Sequence, residues 1–499
     1  MLDRDYDYSR PLDVHKWSDY PEVNSFVDVI YDTYIHSNNS NSNIKKRHLK
    51  VVLLDLYCCW FNDPEMCIGV HMKKEAYADG SVVLKGKSRY NELNIKSSTI
   101  DIVHKLRAVK LIGFKKGFAQ SADWWARTSR IWAEPLLIKY FEDAAFGELH
   151  IGYSDNREVI IMRDEDRNEI DYEPHPHPYA KVVKDYNALL NKTFIDIGDL
   201  NIPRIEVGTV KKGKGKGNKK YVNITQHSKF TRRIFNNSSW LQGGRFYGGW
   251  WQRIKSTQRK KILINNLATV EIDYSATHPM LAYARKGISY WETFDKDPYE
   301  IISVDGIEDK KVARDIVKQL LLLAFNASDE AQLYKAFRSE FNYDLLGEVS
   351  FKFPDIVLAK ILNDIKLAHP KIADLICTGA GLGLMNLDAK IVEYVIKDFL
   401  LNNKPILTVH DSFIVQIGQE DKLDKVMNKA FKHITDLADI KEVKVKYNNN
   451  PVMAQIIANR HLDRDYYLDM FRHTVSDPPT CKGYKRRYER HLRFFNKKD

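Results

Sequence analysis

The chain has few cysteines and no spacing of them that suits a zinc site or a disulfide framework. Five cysteines occur in 499 residues, an odd number, and none forms a CxxC pair. The pattern therefore argues against a disulfide-rich secreted scaffold and is typical of a reducing cytosol. Cys58 and Cys59, within LLDLYCCW, are predicted to be small core residues.

Long apolar runs are also missing. No segment is long enough to span a bilayer, and the first ten residues, MLDRDYDYSR, lack the apolar region of a signal peptide. The formal net charge of +11 favours a polyanionic partner, either nucleic acid or an anionic membrane surface. Since no membrane segment accompanies that charge, we expect nucleic acid and no membrane.

Internal repeats are absent, but three breaks in composition divide the chain. They are the polar segment HSNNSNSN (36–43), the basic run KKGKGKGNKK (211–220) and SDPPTCKG (476–483). A chain of this length suits two to four domains. We predict an N-terminal region (1–145), a connecting, thumb-like region (146–260), a main domain (261–475) and a basic tail (476–499), which is either an amphipathic helix on nucleic acid or disordered.

The first region combines helices with a basic β-prone segment. Ser97 or Ser98 is a suitable N-cap for a helix, and LIGFKKGF then predicts a hairpin turning at Lys115, Lys116 and Gly117. A further strand is predicted at 129–132. This order resembles a winged helix-turn-helix, which implies that Lys115 and Lys116 contact DNA. The alternative is a plain helical subdomain whose lysines form a solvated face.

Two histidines in the connecting region, His175 and His177, stand in the sequence HPHP. The prolines favour a surface loop over a metal site.

Two carboxylates in the main domain carry the chemical prediction. Asp273 ends the predicted strand TVEI, and Asp411 lies at the turn between two β-prone runs, ILTV and FIVQI. A hairpin with a carboxylate at its tip would place Asp411 beside Asp273 on a shared sheet. Two such groups can hold two divalent cations about 3.5–4 Å apart for phosphoryl transfer, and oxygen ligands suit Mg²⁺.

The segment between them, KKVARDIVKQLLLLAFNAS (310–328), predicts a strong helix. Arg314 and Lys318 are four residues apart and share one face. Two cations on one face suit a triphosphate, whose leaving pyrophosphate gains charge during the reaction.

Four motifs together carry a family resemblance. DYSATHPMLAYA resembles motif A of the family A DNA polymerases, and VHDSF resembles motif C, in the form nearest to the single-subunit RNA polymerases of phages and mitochondria. RDIVKQLLLLAFN resembles the fingers helix of both groups, and GRFY (244–247) resembles the element joining thumb and palm in the RNA polymerases. The motifs follow in the family order over about 240–419.

The resemblance implies a right-hand polymerase fold of the α+β class, with palm, compact fingers and thumb behind a winged-helix-like module. It implies roles for matched residues. The metal ligands are Asp273, Asp411 and the main-chain oxygen of Tyr274; the nucleotide-binding residues are Arg314, Lys318, Tyr274, His278, Phe325 and Asn326; the primer or template contacts are Arg245, His410 and Ser412. The winged-helix resemblance of the first region adds Lys115 and Lys116 as nucleic-acid contacts.

Four departures bear on specificity. His278 and Ser412 replace glutamates of the DNA polymerases, and Asn326, preceded by Phe325, replaces the aromatic eight residues after Lys318. Leu241 replaces an Asp before the GR pair. His278 and Ser412 favour ribonucleotide tolerance, whereas DYS favours deoxynucleotides.

We therefore expect a template-directed polymerase with two Mg²⁺, for which Mn²⁺ could substitute, acting on nucleoside triphosphates and a DNA or RNA template and primer. By analogy it would serve replication or priming of a mobile element, plasmid or phage, in the cytoplasm of a bacterial or phage-infected cell. The alternatives are an RNA polymerase or primase, a non-catalytic initiator with a relic palm, and an untemplated terminal transferase. The sequence does not predict the oligomeric state.

Overall fold

The computed structural model describes residues 4–36, 42–79, 81, 86–120, 125–175, 177–209, 219–294, 296–300, 303–346, 352–437, 445–447 and 480–496. The predicted basic linker 211–220 lies outside these residues except for Lys219 and Lys220, and so does the first half of SDPPTCKG, residues 476–479. The α-helices are α1 (Pro21–Ile30), α2 (Ser42–Asn62), α3 (Ser98–Ala108), α4 (Pro135–Glu142), α5 (Tyr179–Lys192), α6 (Ser256–Arg259), α7 (Thr277–Ala284), α8 (Tyr290–Phe294), α9 (Lys310–Asn326), α10 (Glu330–Glu340), α11 (Asp355–Ala368), α12 (Gly381–Leu401), α13 (Glu420–Thr435) and α14 (Lys482–Phe495).

The strands complete a mixed α+β protein, as the sequence predicts. They are β1 (Ser9–Pro11), β2 (Lys16–Trp17), β3 (Cys67–Val70), β4 (Ile112–Lys115), β5 (Phe118–Gln120), β6 (Trp125–Arg127), β7 (Ser129–Ala133), β8 (Gly152–Tyr153), β9 (Ile160–Arg163), β10 (Glu169–Ile170), β11 (Ile195–Ile197), β12 (Arg204–Thr209), β13 (Lys219–Asn223), β14 (Arg232–Asn236), β15 (Ser239–Tyr247), β16 (Ile262–Ile264), β17 (Leu267–Tyr274), β18 (Ile406–Val409), β19 (Ser412–Gln416) and β20 (Val445–Tyr447). Within the described residues, no helix is long and apolar enough to cross a membrane.

The chain divides into two compact units that interleave in sequence. Unit 1 comprises Met1–Val159, Leu200–Lys229 and Lys482–Asp499, and unit 2 comprises Ile160–Asp199 and Phe230–Cys481. The segment predicted as a connecting region, 146–260, contributes to both units, and the basic C-terminal segment belongs to unit 1. Breaks in composition mark linkers along the sequence. They do not show that a chain leaves one unit and later returns to it, so the interleaving could not be predicted from them.

Unit 1 is built around α2, whose apolar run is buried together with residues of α1, α3 and α4. Cys58 and Cys59 are part of this core, as predicted, and burial raises the pKa of the Cys58 thiol. A four-stranded sheet in the order β1-β3-β7-β4 completes the unit. The predicted helix after Ser97 is α3.

The basic segment after α3 forms a hairpin, but its turn is not at Lys115, Lys116 and Gly117. Lys115 on β4 pairs with Arg130 on β7, and Phe118 on β5 pairs with Arg127 on β6, so one antiparallel register continues past the glycine. A Cβ on Gly117 would lie 2.3 Å from the main-chain oxygen of Arg127. The glycine therefore allows a close approach of the two hairpin arms rather than a turn.

Unit 2 contains the sheet that positions the candidate site. Its order is β11-β16-β17-β19-β18, and β20 also pairs with β17. A second sheet, in the order β10-β9-β14-β15, packs through β15 against the long helix α12, which also packs against α13. Every residue of β18, and every residue of β19 except Gln416, is buried. Because successive side chains of a strand face opposite sides, this part of the sheet is covered on both faces.

Candidate functional site

Asp273 and Asp411 are brought together by two antiparallel strand pairings. Asp273, the penultimate residue of β17, pairs with Ser412 at the start of β19. Val409 on β18 also pairs with Ser412, so His410 and Asp411 form a two-residue turn. Cross-strand Cα atoms lie about 4.5–5.5 Å apart and successive ones about 3.8 Å apart, which keeps the Cα atoms of the two aspartates within about 9 Å.

The hairpin turn depends on a left-handed residue. His410 has a φ of +56°, which the favoured two-residue turns require at their first loop position. A non-glycine residue rarely adopts this conformation. The predicted hairpin ILTV-HDS-FIVQI is thus present, and its turn lifts Asp411 out of the strand ladder beside the end of β17.

Thr277 fixes the orientation of Asp411. Its Oγ1 donates a hydrogen bond of 2.5 Å to Asp411 Oδ2, across 134 positions of the sequence. Thr277 is the first residue of α7 and is buried, while Asp411 is half-buried. One oxygen of Asp411 is therefore held by the helix that follows the Asp273 strand. We did not predict this residue from the sequence, although it lies within the motif A segment.

Arg245, a largely buried cation with two partners, lies in the same cluster. Its Nε donates to Asp388 Oδ2 at 2.6 Å, and its Nη2 donates to His278 Nε2 at 3.2 Å. A guanidinium has donors only, so His278 Nε2 accepts and the ring is neutral. Burial, reinforced by the nearby Arg245 charge, lowers the pKa of His278, in agreement with this assignment.

His410 belongs to this cluster as well. Its ring contacts Tyr247 edge to face, with centroids 6.0 Å apart. Burial and then the charge of Arg245 lower the pKa of His410, while Asp388 and Asp411 oppose that shift. The two histidines, Arg245 and Asp411 therefore share one electrostatic environment.

The resemblance implies that Ser412 contacts the primer, but its hydroxyl is directed at a carboxylate of the protein. It is buried, and its Oγ donates to Glu271 Oε1 at 2.8 Å. Glu271 also receives two hydrogen bonds from Arg259, at 2.8 and 2.9 Å. The hydroxyl of Ser412 thus adds a hydrogen bond to the Glu271 carboxylate of the Arg259–Glu271 ion pair.

The helix α9 presents Arg314 and Lys318 on one face, as predicted. Asp309 caps its N-terminus by accepting from the main-chain nitrogens of Lys311 and Val312. Arg314 Nη2 lies 2.8 Å from Asp297 Oδ2, whereas Lys318 is exposed. In this conformation Arg314 is occupied by a carboxylate, which an incoming anion would have to replace.

Tyr299 connects α9 with the two aspartates. The guanidinium of Arg314 lies 5.2 Å from the centre of its ring. Burial and then the Asp297 charge raise the pKa of the Tyr299 hydroxyl, and the carboxylates of Asp411 and Asp273 raise it further. We did not predict Tyr299, because the loop that carries it has no motif or periodicity.

The other residues predicted to bind the nucleotide, Phe325, Asn326 and Tyr274, differ in how far their side chains are exposed. Phe325 is fully buried on the apolar side of α9 and offers no ring face to a nucleotide. Asn326 is exposed, with Nδ2 donating to Leu322 O at 2.8 Å. The Tyr274 side chain is buried, and its hydroxyl donates to Met427 O, which leaves only its main chain for a ligand.

Lys115 and Lys116 lie in unit 1 and are exposed on the basic hairpin. Lys115 Nζ lies 5.2 Å from the ring centre of Tyr6.

In unit 2, His177 Nε2 lies 2.6 Å from Glu393 Oε1, a carboxylate that Arg233 and Lys397 also hold. His177 therefore shares the Glu393 carboxylate with two cations.

The predicted metal ligands are the carboxylates of Asp273 and Asp411 with the main-chain oxygen of Tyr274. Among the described residues, no group of three or more His, Cys, Asp or Glu side chains is close enough to hold a metal ion. Mg²⁺ typically keeps several waters and binds one or two carboxylates together with substrate phosphates. A pair of carboxylates with an adjacent main-chain carbonyl, that of Tyr274, therefore fits Mg²⁺ better than it fits zinc.

No protein-family model matches the chain, and no curated protein matches it.

Proposed function

We propose that the chain is a template-directed nucleotidyltransferase, with Asp273 and Asp411 as the carboxylates that hold two Mg²⁺ ions. The observation that carries the proposal is the pairing of the β17 end with the β18–β19 hairpin, which places both aspartates at one edge of one sheet. The bound metals would stabilise the charge that develops on the attacking and leaving oxygens.

The protein groups around the pair suit the other parts of such a reaction. Arg314 and Lys318 supply positive charge for a triphosphate, and Arg314 already binds an anionic group, the Asp297 carboxylate. Arg245 supplies a fixed cation near Asp411, since Asp388 holds its guanidinium at 2.6 Å. Thr277 keeps one Asp411 oxygen in place, so the other remains available to a cation.

The decisive experiment measures incorporation and binding separately. Asp273→Asn and Asp411→Asn should each reduce primer extension by at least about a thousandfold, since they remove charge that is needed in the transition state. Both variants should bind a primer–template duplex as the parent chain does. Asp185→Asn, an exposed acid on α5, is the matched control. Normal synthesis by either variant would refute the metal assignment.

The product distinguishes the remaining possibilities. Extension of one labelled primer with deoxynucleotides and ribonucleotides in parallel tests the sugar preference, which His278 leaves open. Homopolymer addition to a blunt or single-stranded end would instead indicate an untemplated terminal transferase. Salt-sensitive DNA binding without any incorporation would indicate an initiator or regulator with an inactive site.

A further inference from the structure

The basic C-terminal segment is a docked helix rather than a free tail. In α14, Gly483, Tyr484 and His491 are buried. A Cβ on Gly483 would lie 2.2 Å from the main-chain oxygen of Asn201, so the helix approaches that loop as closely as a glycine allows. Arg487 also donates to the main-chain oxygens of Leu200 and Asn201, at 2.8 and 3.1 Å.

Aromatic contacts hold the other end of α14. Phe494 lies against His150 and Tyr20, with ring centroids 4.8 and 6.2 Å away. The guanidinium of Arg490 lies 4.7 Å from the ring centre of Phe61 on α2. Both ends of the helix are therefore fixed to unit 1, and the side facing solvent has a defined orientation on that unit.

The solvent side of α14 is strongly basic. Its exposed cations include Lys482, Lys485, Arg486 and Arg493, and the exposed acid among them is Glu489. Positions 482, 486, 489 and 493 follow one another at intervals of four, three and four residues, which places them along one helix face. Glu489 lies on this face, 3.6 Å from Arg493. Four cations less this one acid leave the face with a net charge of +3.

We propose that this face of α14, defined by Lys482, Lys485, Arg486 and Arg493, binds the phosphate backbone of duplex nucleic acid. A helix of 14 residues is about 21 Å long, and duplex DNA carries one negative charge per about 1.7 Å of its axis, so the face spans on the order of a dozen phosphates. The choice of nucleic acid as the polyanion rests on the proposed function.

A membrane surface fits the same helix less well. Helices that lie in a membrane interface insert an apolar face between the lipids. In α14 the residues that could do so, such as Tyr484 and Phe494, pack onto unit 1, and the largest apolar side chain among the exposed ones is Leu492 at 38%. The exposed side thus offers charge without an inserting face, which suits phosphates rather than acyl chains.

The test uses the full chain and a short labelled duplex, with binding measured by anisotropy at several salt concentrations. A triple variant, Lys485→Gln, Arg486→Gln and Arg493→Gln, should lower the slope of log affinity against log salt by about 2–3 and weaken binding about ten- to hundredfold. Glutamine is a good helix former, so α14 should persist, and circular dichroism checks this.

Two control variants separate phosphate contact from other effects. Lys181→Gln, Lys184→Gln and Lys192→Gln on α5 remove the same charge from an exposed helix of unit 2 and should leave the slope unchanged. The swap Lys485→Arg, Arg486→Lys and Arg493→Lys keeps the charge and should keep the slope.

Equal losses in the α14 and α5 triple variants would overturn the proposal. So would an α14 variant that loses binding to phosphatidylserine vesicles but not to the duplex. Asp273→Asn serves in the same assay to keep the two proposals apart: it should bind normally whether or not α14 contacts the duplex, and its loss of synthesis reports on the metal site alone.

Discussion

Arg245 on β15 and Asp388 on α12 form a buried ion pair, with Nε 2.6 Å from Oδ2, although 143 positions separate them in the chain. Asp388 is 1% exposed and the Arg245 side chain 12%. The same guanidinium donates to His278 on α7. The Arg245 side chain, itself on β15, therefore binds residues of α12 and α7 close to Asp411.

The first prediction concerns the stability that this pair contributes. Asp388→Ala should lower the free energy of unfolding by about 3–5 kcal/mol, because it leaves a buried guanidinium without its counter-charge. Urea denaturation of the full chain measures the change. Asp185→Ala, which removes an exposed partner of Lys181, should cost little by comparison.

The double variant decides whether the two residues act together. Arg245→Ala with Asp388→Ala should be less destabilising than the sum of the single variants, since the second substitution removes the charge that the first leaves unpaired. Strict additivity would show that the pair does not stabilise unit 2 as a unit, and the fixed position of Arg245 would then need another cause.

The second prediction separates two roles for Ser412. Its hydroxyl donates to the buried Glu271, so Ser412→Ala should lower the free energy of unfolding by about 1–2 kcal/mol. The dissociation constant for a primer–template duplex should change little, because Ser412 is only 5% exposed. Ser328→Ala, at an exposed position, is the control. Weaker duplex binding with unchanged stability would instead support a primer contact.

The strand and hairpin of the site could be predicted from the sequence because their signals are local. Apolar runs flank Asp411 at strand length, and Asp273 follows a β-prone run directly. Asp388 could not be predicted, because an aspartate within a 21-residue helix has no local feature that marks it as the partner of Arg245. Tyr299 could not be predicted either, because no local feature of the sequence marks it as a neighbour of Arg314.

The family motifs assign roles by position in the motif and do not take account of which way a side chain faces. The resemblance assigned Phe325 and Ser412 by position alone, whereas helix phase turns Phe325 into the core and strand alternation turns Ser412 towards Glu271. In unit 1 the basic hairpin was predictable, but its turn was not, since Gly117 reads equally as a turn residue and as a point of close approach.

The third prediction is a pH dependence that arises at His48 in unit 1. Lys96 N donates to His48 Nε2 at 3.0 Å, and Nδ1 lies 2.8 Å from Ser98 Oγ, so the ring is neutral. Burial lowers the pKa of His48 to about 4 from 6.5. The unfolded chain therefore takes up a proton first as the pH falls below 6.5, and the free energy of unfolding should decrease between pH 6.5 and about 4.

Urea denaturation at about pH 7.5 and about pH 5 tests this shift, which corresponds to about 2 kcal/mol at the lower pH. In His48→Gln the difference between the two conditions should shrink by that amount, because glutamine can accept the Lys96 hydrogen bond without titrating. His433→Gln, at an exposed position on α13, should keep the full difference. An unchanged difference in His48→Gln would rule out this histidine as the source.

The fourth prediction follows from the Asp297 carboxylate that occupies Arg314. Asp297 Oδ2 lies 2.8 Å from Arg314 Nη2, and its Oδ1 accepts from Tyr299 N at 2.9 Å. A triphosphate that binds Arg314 must compete with this carboxylate. Asp297→Asn keeps an oxygen for the Tyr299 amide but removes the competing charge. It should therefore tighten nucleotide binding about five- to tenfold, which is about 1–1.4 kcal/mol.

Titration with a nonhydrolysable triphosphate analogue measures that change. Asp374→Asn, which removes an equal charge from an exposed partner of Lys286, should leave the affinity unchanged. Arg314→Gln should weaken binding, and combining it with Asp297→Asn should abolish the gain, since no guanidinium is then left to release. If Asp297→Asn weakens binding as much as Arg314→Gln does, the carboxylate positions the guanidinium for the nucleotide instead of competing with it.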